Sequence, residues 1–138
     1  MRGDDTLRWL EQAEHDLAAA EDSLEAGHHE WACFQSQQAA EKALKAVFYA
    51  LGYEMVFTHS VSRLVKDLSE KCEGFKKGLG RWNALDKFYI PTRYPNHFPD
   101  AIPADVHTRE DAQGAIALAC EVIEEAKRCL QELEEGKA

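Results

Sequence analysis

Apolar positions along this chain recur at helical spacing. In the first stretch Leu7, Leu10, Ala13, Leu17, Ala20 and Leu24 follow one another every three or four residues, with Glu11, Glu14, Glu21, Asp22 and Glu25 between them. Asp4, Asp5 and Thr6 suit the start of that helix, where side-chain oxygens and negative charge satisfy unpaired N–H groups, and Gly27 suits its end. A second helix is expected over roughly Glu30 to Leu51, which is rich in Ala, Leu, Lys, Glu and Gln and stopped by Gly52. Its last stretch, Ala46 to Leu51, is apolar all round and needs cover on more than one side, part of it from a second subunit. A shorter helix is predicted from Ser60 to about Cys72, with Val61, Leu64, Val65 and Leu68 inward. A fourth is predicted from Gly80 to Ile90, with Trp82, Leu85 and Phe88 or Tyr89 inward. The last helix opens on a capping box, Thr108-Arg109-Glu110-Asp111, and runs through Ala112, Ala115, Ala119, Val122, Ile123 and Ala126 to Leu133. No stretch alternates long enough for a strand. The expected fold is all-α: an up-and-down antiparallel bundle of about five helices, three long and two short. It forms one domain over 1–138, with a core of about 6–133 and an acidic tail at 134–138 that frays together with Glu132 and Leu133.

All four prolines fall between Pro91 and Pro103, so this stretch reads as a stiff loop rather than a helix or a floppy linker. Charge sharpens the interest in that region. The chain carries 16 basic and 25 acidic residues, a net charge of −9, which argues against non-specific coating of nucleic acid. Residues 1–30 hold two basic side chains against nine acids, whereas residues 75–97 hold five (Lys76, Lys77, Arg81, Lys87 and Arg93) against Asp86 alone. A basic segment on an acidic body can focus an anion at one place; a solvated lysine-rich run is the plainer account.

Candidate chemistry centres on the loop. Arg93 and Tyr94 sit between Pro91 and Pro95, which hold their backbone nearly fixed. A guanidinium fork suits phosphate or carboxylate, and a tyrosine ring suits stacking on a base. The alternative is an Arg93 that merely ties the loop to a helical carboxylate such as Glu41. His97 follows in the loop, and His59 stands at the entry to the third helix, where it serves either as a local helix-entry residue or as a polar group facing the same cleft. On the second helix Gln38, Glu41, Lys42 and Lys45 share one side, either as a solvent face or as polar groups buried in a cleft or dimer seam. No metal site is expected: the single Glu25-Ala26-Gly27-His28 motif lies at a helix end, and a di-iron bundle needs two such motifs and two further carboxylates. Cys33, Cys72, Cys120 and Cys129 have neither redox-motif nor zinc-finger spacing and read as reduced thiols. The longest apolar run has six residues, too few to cross a bilayer, and the N-terminal Arg2-Gly3-Asp4-Asp5 has no signal-peptide character; the expected compartment is the cytoplasm.

Three segments in this order carry a resemblance: Trp31-Ala32-Cys33-Phe34 leading to Gln37-Gln38-Ala39-Ala40-Glu41-Lys42-Ala43-Leu44-Lys45, then His59-Ser60, then Tyr89-Ile90-Pro91-Thr92-Arg93-Tyr94-Pro95-Asn96. With Trp9-Leu10 and Asp16-Leu17 before them, they resemble the HEPN family, named for nucleotide binding in higher eukaryotes and prokaryotes, in its free-standing prokaryotic form related to the C-terminal bundle of sacsin. The resemblance implies a five-helix bundle pairing as a homodimer, and a minimal nucleotidyltransferase as partner in a toxin–antitoxin-like pair. It also implies no cofactor. Many members are metal-independent endoribonucleases with an Arg followed after four to six residues by a His. Here only three residues separate Arg93 from His97, and Pro95 lies between them.

The reading that follows is a homodimeric module in which Arg93 and Tyr94, with Lys42, Lys45 and His59 near, bind the phosphate of a nucleotide or RNA. The alternative is an endoribonuclease in which His97 or His59 removes a 2′-hydroxyl proton while Arg93 stabilises charge on phosphorus. A further alternative is a ligand-free scaffold whose acidic first helix meets a basic partner.

Overall fold

The computed structural model describes residues 3–136. Three long helices carry the architecture: α1 (Gly3–Glu25), α2 (His29–Ala50) and α5 (Arg109–Glu134). Between α2 and α5 come α3 (Val61–Ser69), 3₁₀ turns over Glu73–Gly78, Trp82–Phe88 and Pro95–His97, and the four-residue α4 (Pro103–Val106). Helix α1 runs antiparallel to α2: Trp9 meets Tyr49 with ring centres 5.4 Å apart, Lys42 reaches Asp16, and Ser23 bonds Gln35. Helix α5 is antiparallel to α1 as well, since Lys127 pairs with Glu14. Helices α2 and α5 therefore run in the same direction, and the segment between them makes the return journey.

Small side chains explain why the long helices lie so close. Ala13 and Ala20 of α1, Ala32, Ala39, Ala40, Ala43 and Ala46 of α2, and Ala112, Ala115, Ala119 and Ala126 of α5 are all buried. Alanine stripes let helix backbones approach with little side-chain entropy lost. The bulk of the core is supplied elsewhere, by Leu44, Leu64, Leu68, Phe75, Trp82 and Leu85 beneath the return segment. Fully burying one such side chain contributes about 1.5–3 kcal/mol.

Several expectations need correction. Helix α1 starts at Gly3, so Asp5 and Thr6 lie inside its first turn rather than capping it, and Leu7 is exposed although it sits in the apolar register. The predicted helix at Gly80–Ile90 is a 3₁₀ turn: Trp82 packs edge-on against Phe75 with ring centres 6.3 Å apart, and that contact holds the segment in the tighter winding. The proline stretch is not wholly irregular, because Pro95 and Pro103 each open a short helical turn, where a missing N–H costs nothing. Helix α5 continues through Glu132 and Leu133 to Glu134, well into the segment expected to fray, while residues 137 and 138 lie outside the described residues. The caps are as the sequence suggests: Ser60 accepts the Arg63 N–H, and Thr108 and Asp111 exchange both capping-box bonds.

Candidate functional site

Helix α2 places Gln37, Glu41 and Lys45 on successive turns of one face, and all three are buried. Lys45 Nζ lies 2.9 Å from Glu41 Oε2, and both side chains are 4% exposed. Gln37 donates from Nε2 to Glu41 Oε1 at 3.2 Å and to the His59 carbonyl at 3.1 Å. Gln38 in turn donates to Gln37 Oε1 at 2.8 Å. The even choice left by the sequence thus divides: Glu41 and Lys45 are buried, while Lys42 turns to Asp16 of α1 at 2.5 Å.

His59 is brought to this network by the start of α3. Asp86, from the 3₁₀ turn below, accepts from the Val61 N–H at 2.6 Å, the Ser60 hydroxyl at 3.0 Å and the Ser62 N–H at 3.1 Å. A carboxylate at this point satisfies free donors and complements the positive helix end. The residue immediately before that clip, His59, sets Nδ1 3.0 Å from Glu41 Oε2 and leaves its side chain 54% exposed. Its ring stacks on Tyr89, with centres 4.9 Å apart and an 18° angle between the planes.

The same tyrosine neighbours Arg93. A tight turn leads there: Thr92 is buried and its hydroxyl donates to the Phe88 carbonyl at 2.6 Å, and the Arg93 N–H reaches the Ile90 carbonyl at 3.0 Å. Arg93 Nε then donates to the Tyr89 carbonyl at 2.9 Å. The guanidinium carbon lies 4.5 Å from the ring centre of Phe34, 4.8 Å from that of Tyr89 and 5.4 Å from that of Tyr94. Such cation–ring contacts hold the group in place while leaving its charge unneutralised. Among the described residues no carboxylate pairs with Arg93; Glu41 is taken by Lys45 and His59. The fork of terminal nitrogens is thus open to an anion.

Of the residues singled out from sequence, the structure gathers Arg93, Tyr94 and His59 around Tyr89 and Phe34, and sets Lys45 beneath His59 as the counter-charge of Glu41. Lys42 faces α1. His97 is exposed on the turn at Pro95–His97, and among the described residues its side chain makes no hydrogen bond or ion pair. Phe34, Tyr89 and Asp86 went unrecognised as site builders. A signal existed for Tyr89, which precedes Arg93 by four residues, the spacing that stacks side chains along one helical turn; Pro91 between them obscured it. No group of three His, Cys, Asp or Glu side chains is placed to hold a metal among the described residues, and no described helix is long and apolar enough to cross a membrane.

Comparison with known proteins adds the family. The model of the HEPN domain matches residues 6–130. The chain belongs to the HEPN family. Over 121 residues it is 30% identical to human sacsin, covering 84% of this chain and spanning only 3% of sacsin's length. It is 28% identical over 134 residues to a Methanocaldococcus jannaschii protein named "Putative toxin MJ1304", covering 90% of this chain and 87% of that one. Among solved structures, TT1696 from Thermus thermophilus superposes with a TM-score of 0.76 at 38% identity, over 89% of this chain and 96% of that one. ST0689, described as an archaeal HEPN homologue, gives 0.71 at 32% identity, over 92% and 98%.

Proposed function

We propose that this HEPN protein is a homodimeric module that binds the phosphate of a nucleotide or RNA, and that it acts as the toxin-like member of a pair with a minimal nucleotidyltransferase. One observation carries the binding reading: the Arg93 guanidinium is fixed by the Tyr89 carbonyl and three aromatic rings, yet has no carboxylate partner among the described residues. A cation held ready and unpaired beside a half-exposed tyrosine suits a phosphate with its attached base, the guanidinium taking the oxygens and Tyr94 the base. Pairing of two copies is supported by exposed apolar side chains close to the site in sequence, Met55 at 62% and Phe57 at 76% exposure, ahead of His59. The toxin-like role rests on the likeness to the Methanocaldococcus protein of that name.

The test is RNA and nucleotide binding at low salt. Arg93→Ala is expected to weaken affinity about 10- to 100-fold, the worth of a charge-assisted hydrogen bond. Arg93→Lys falls between, since it keeps the charge and loses the planar fork. Wild-type affinity falls steeply as salt rises. Unchanged binding by Arg93→Ala rejects the site.

A further inference from the structure

We propose that Glu41 and His59 form a proton-accepting couple in which His59 Nε2 removes the 2′-hydroxyl proton of bound RNA, with Glu41 and Gln37 as positioning residues. The inference rests on the phosphate-binding reading above and assigns that site a reaction.

The orientation of the imidazole is over-determined. A carboxylate can only accept, so the hydrogen of the 3.0 Å contact sits on Nδ1, and Nε2 is left with its lone pair. Tyr89 fixes the plane of the ring by stacking on it. Gln37 holds both members at once, with its amide bonded to Glu41 and to the backbone carbonyl of His59. Asp86 clips the chain directly after His59. Lys45 balances the buried carboxylate, so Glu41 has no need of His59 as its only counter-charge. A network serving only to bury charge would enclose the imidazole; here half of the side chain faces outward, and Nε2 has no partner among the described residues. His97 has none of these supports.

Arg93, packed on the same Tyr89 ring, supplies the complementary half. With a phosphodiester on the guanidinium, Nε2 takes the proton from the 2′-hydroxyl and the 2′-oxygen forms a bond to phosphorus. The bond from phosphorus to the 5′-oxygen breaks with its electron pair. The departing oxygen takes a proton from water, and the imidazolium returns its proton to the hydroxide so formed. The products are a 2′,3′-cyclic phosphate and a 5′-hydroxyl, with protons and electrons conserved and Arg93 stabilising the charge on the phosphoryl oxygens.

The experiment follows cleavage of a single-stranded RNA oligonucleotide by the full chain in EDTA, with binding measured in parallel. Wild type is expected to leave cyclic-phosphate ends and to spare an oligonucleotide with 2′-deoxy sugars. His59→Ala is expected to cut about 10²- to 10⁴-fold more slowly while still binding RNA, and added imidazole to restore part of the rate, a rescue that no purely structural histidine would show. Glu41→Gln keeps the shape, loses the fixed tautomer, and is expected to lower the rate without weakening binding. RNA bound but not cut by wild type, with Arg93→Ala still abolishing binding, overturns the couple and leaves the binding reading standing. Cleavage lost in His97→Ala and retained in His59→Ala overturns it as well. Failure of wild type to bind RNA or nucleotide rejects both.

Discussion

Two buried glutamates stand in this bundle, and their neighbours make them opposites. Glu125 of α5 has a side chain only 1% exposed and faces cations alone: Lys77 at 2.6 Å and Arg128, which closes on the same carboxylate. Burial pushes its carboxyl up, but the hydrogen bonds from Arg128 and Lys77 outweigh that and hold it below the usual carboxylate range. Gly74 is built around the pair, since a Cβ there would collide with Glu125 Oε2 and Arg128 Nη2. Glu41 of α2 is as deeply buried but shares its oxygens among a lysine, two amides and a half-exposed imidazole. The first arrangement ends in itself and fastens the return segment to α5. The second has a titratable group with one side open. Equal burial of equal charge thus serves anchoring or chemistry according to whether the last partner faces outward.

The contrast can be broken by mutation. Glu125→Ala is expected to produce the largest fall in stability, about 2–3 kcal/mol: below the usual cost of splitting a buried pair, because Lys77 and Arg128 can turn to solvent. Denaturant unfolding measures it, and RNA binding by the folded fraction should be unchanged. A loss of binding at full stability would erase the distinction between the two glutamates. Asp86→Ala removes the clip before α3 and is expected to cost about 1 kcal/mol, as for a lost helix cap. Its sharper signature is a slower reaction at His59, because the backbone that aims the imidazole loses its anchor. The smallest effect concerns acid. Glu121 receives hydrogen bonds from Arg81 and from the Trp82 indole, which lower its carboxyl to about 2. A group depressed on folding contributes stability in full above its unfolded value, about 4.3, and loses it as pH falls toward the folded one. Unfolding followed from about pH 5 to pH 2 should show this decline, and Glu121→Gln should flatten it modestly, since the side chain is more than one-third exposed.

Much of the scaffold was legible because it depends on neighbours close in sequence. The register of α5, the Thr108–Asp111 box and the Ser60 cap are all decided within a few residues. The start of α1 was misplaced because Asp5 and Thr6 are as acceptable in a first turn as ahead of it. Trp82 to Phe88 takes a 3₁₀ winding for a reason that lies away in the chain, in Phe75 and in Glu121, which receives the Trp82 N–H at 2.9 Å. Arg93 and His59 were legible as candidates by residue type. What joins them is the ring of Tyr89, and no periodicity reveals that a loop arginine and a helix-entry histidine share a neighbour. The polar stripe of α2 was visible, but which members face inward depends on where α3 delivers His59.

The bond from Arg93 Nε to the Tyr89 carbonyl has a kinetic consequence. Because the guanidinium is immobilised by neutral groups, an arriving phosphate has no rival carboxylate to evict before it lands. Capture proceeds without an exchange step, so the speed of association is governed by diffusion and long-range attraction, and residence time alone separates a good ligand from a poor one.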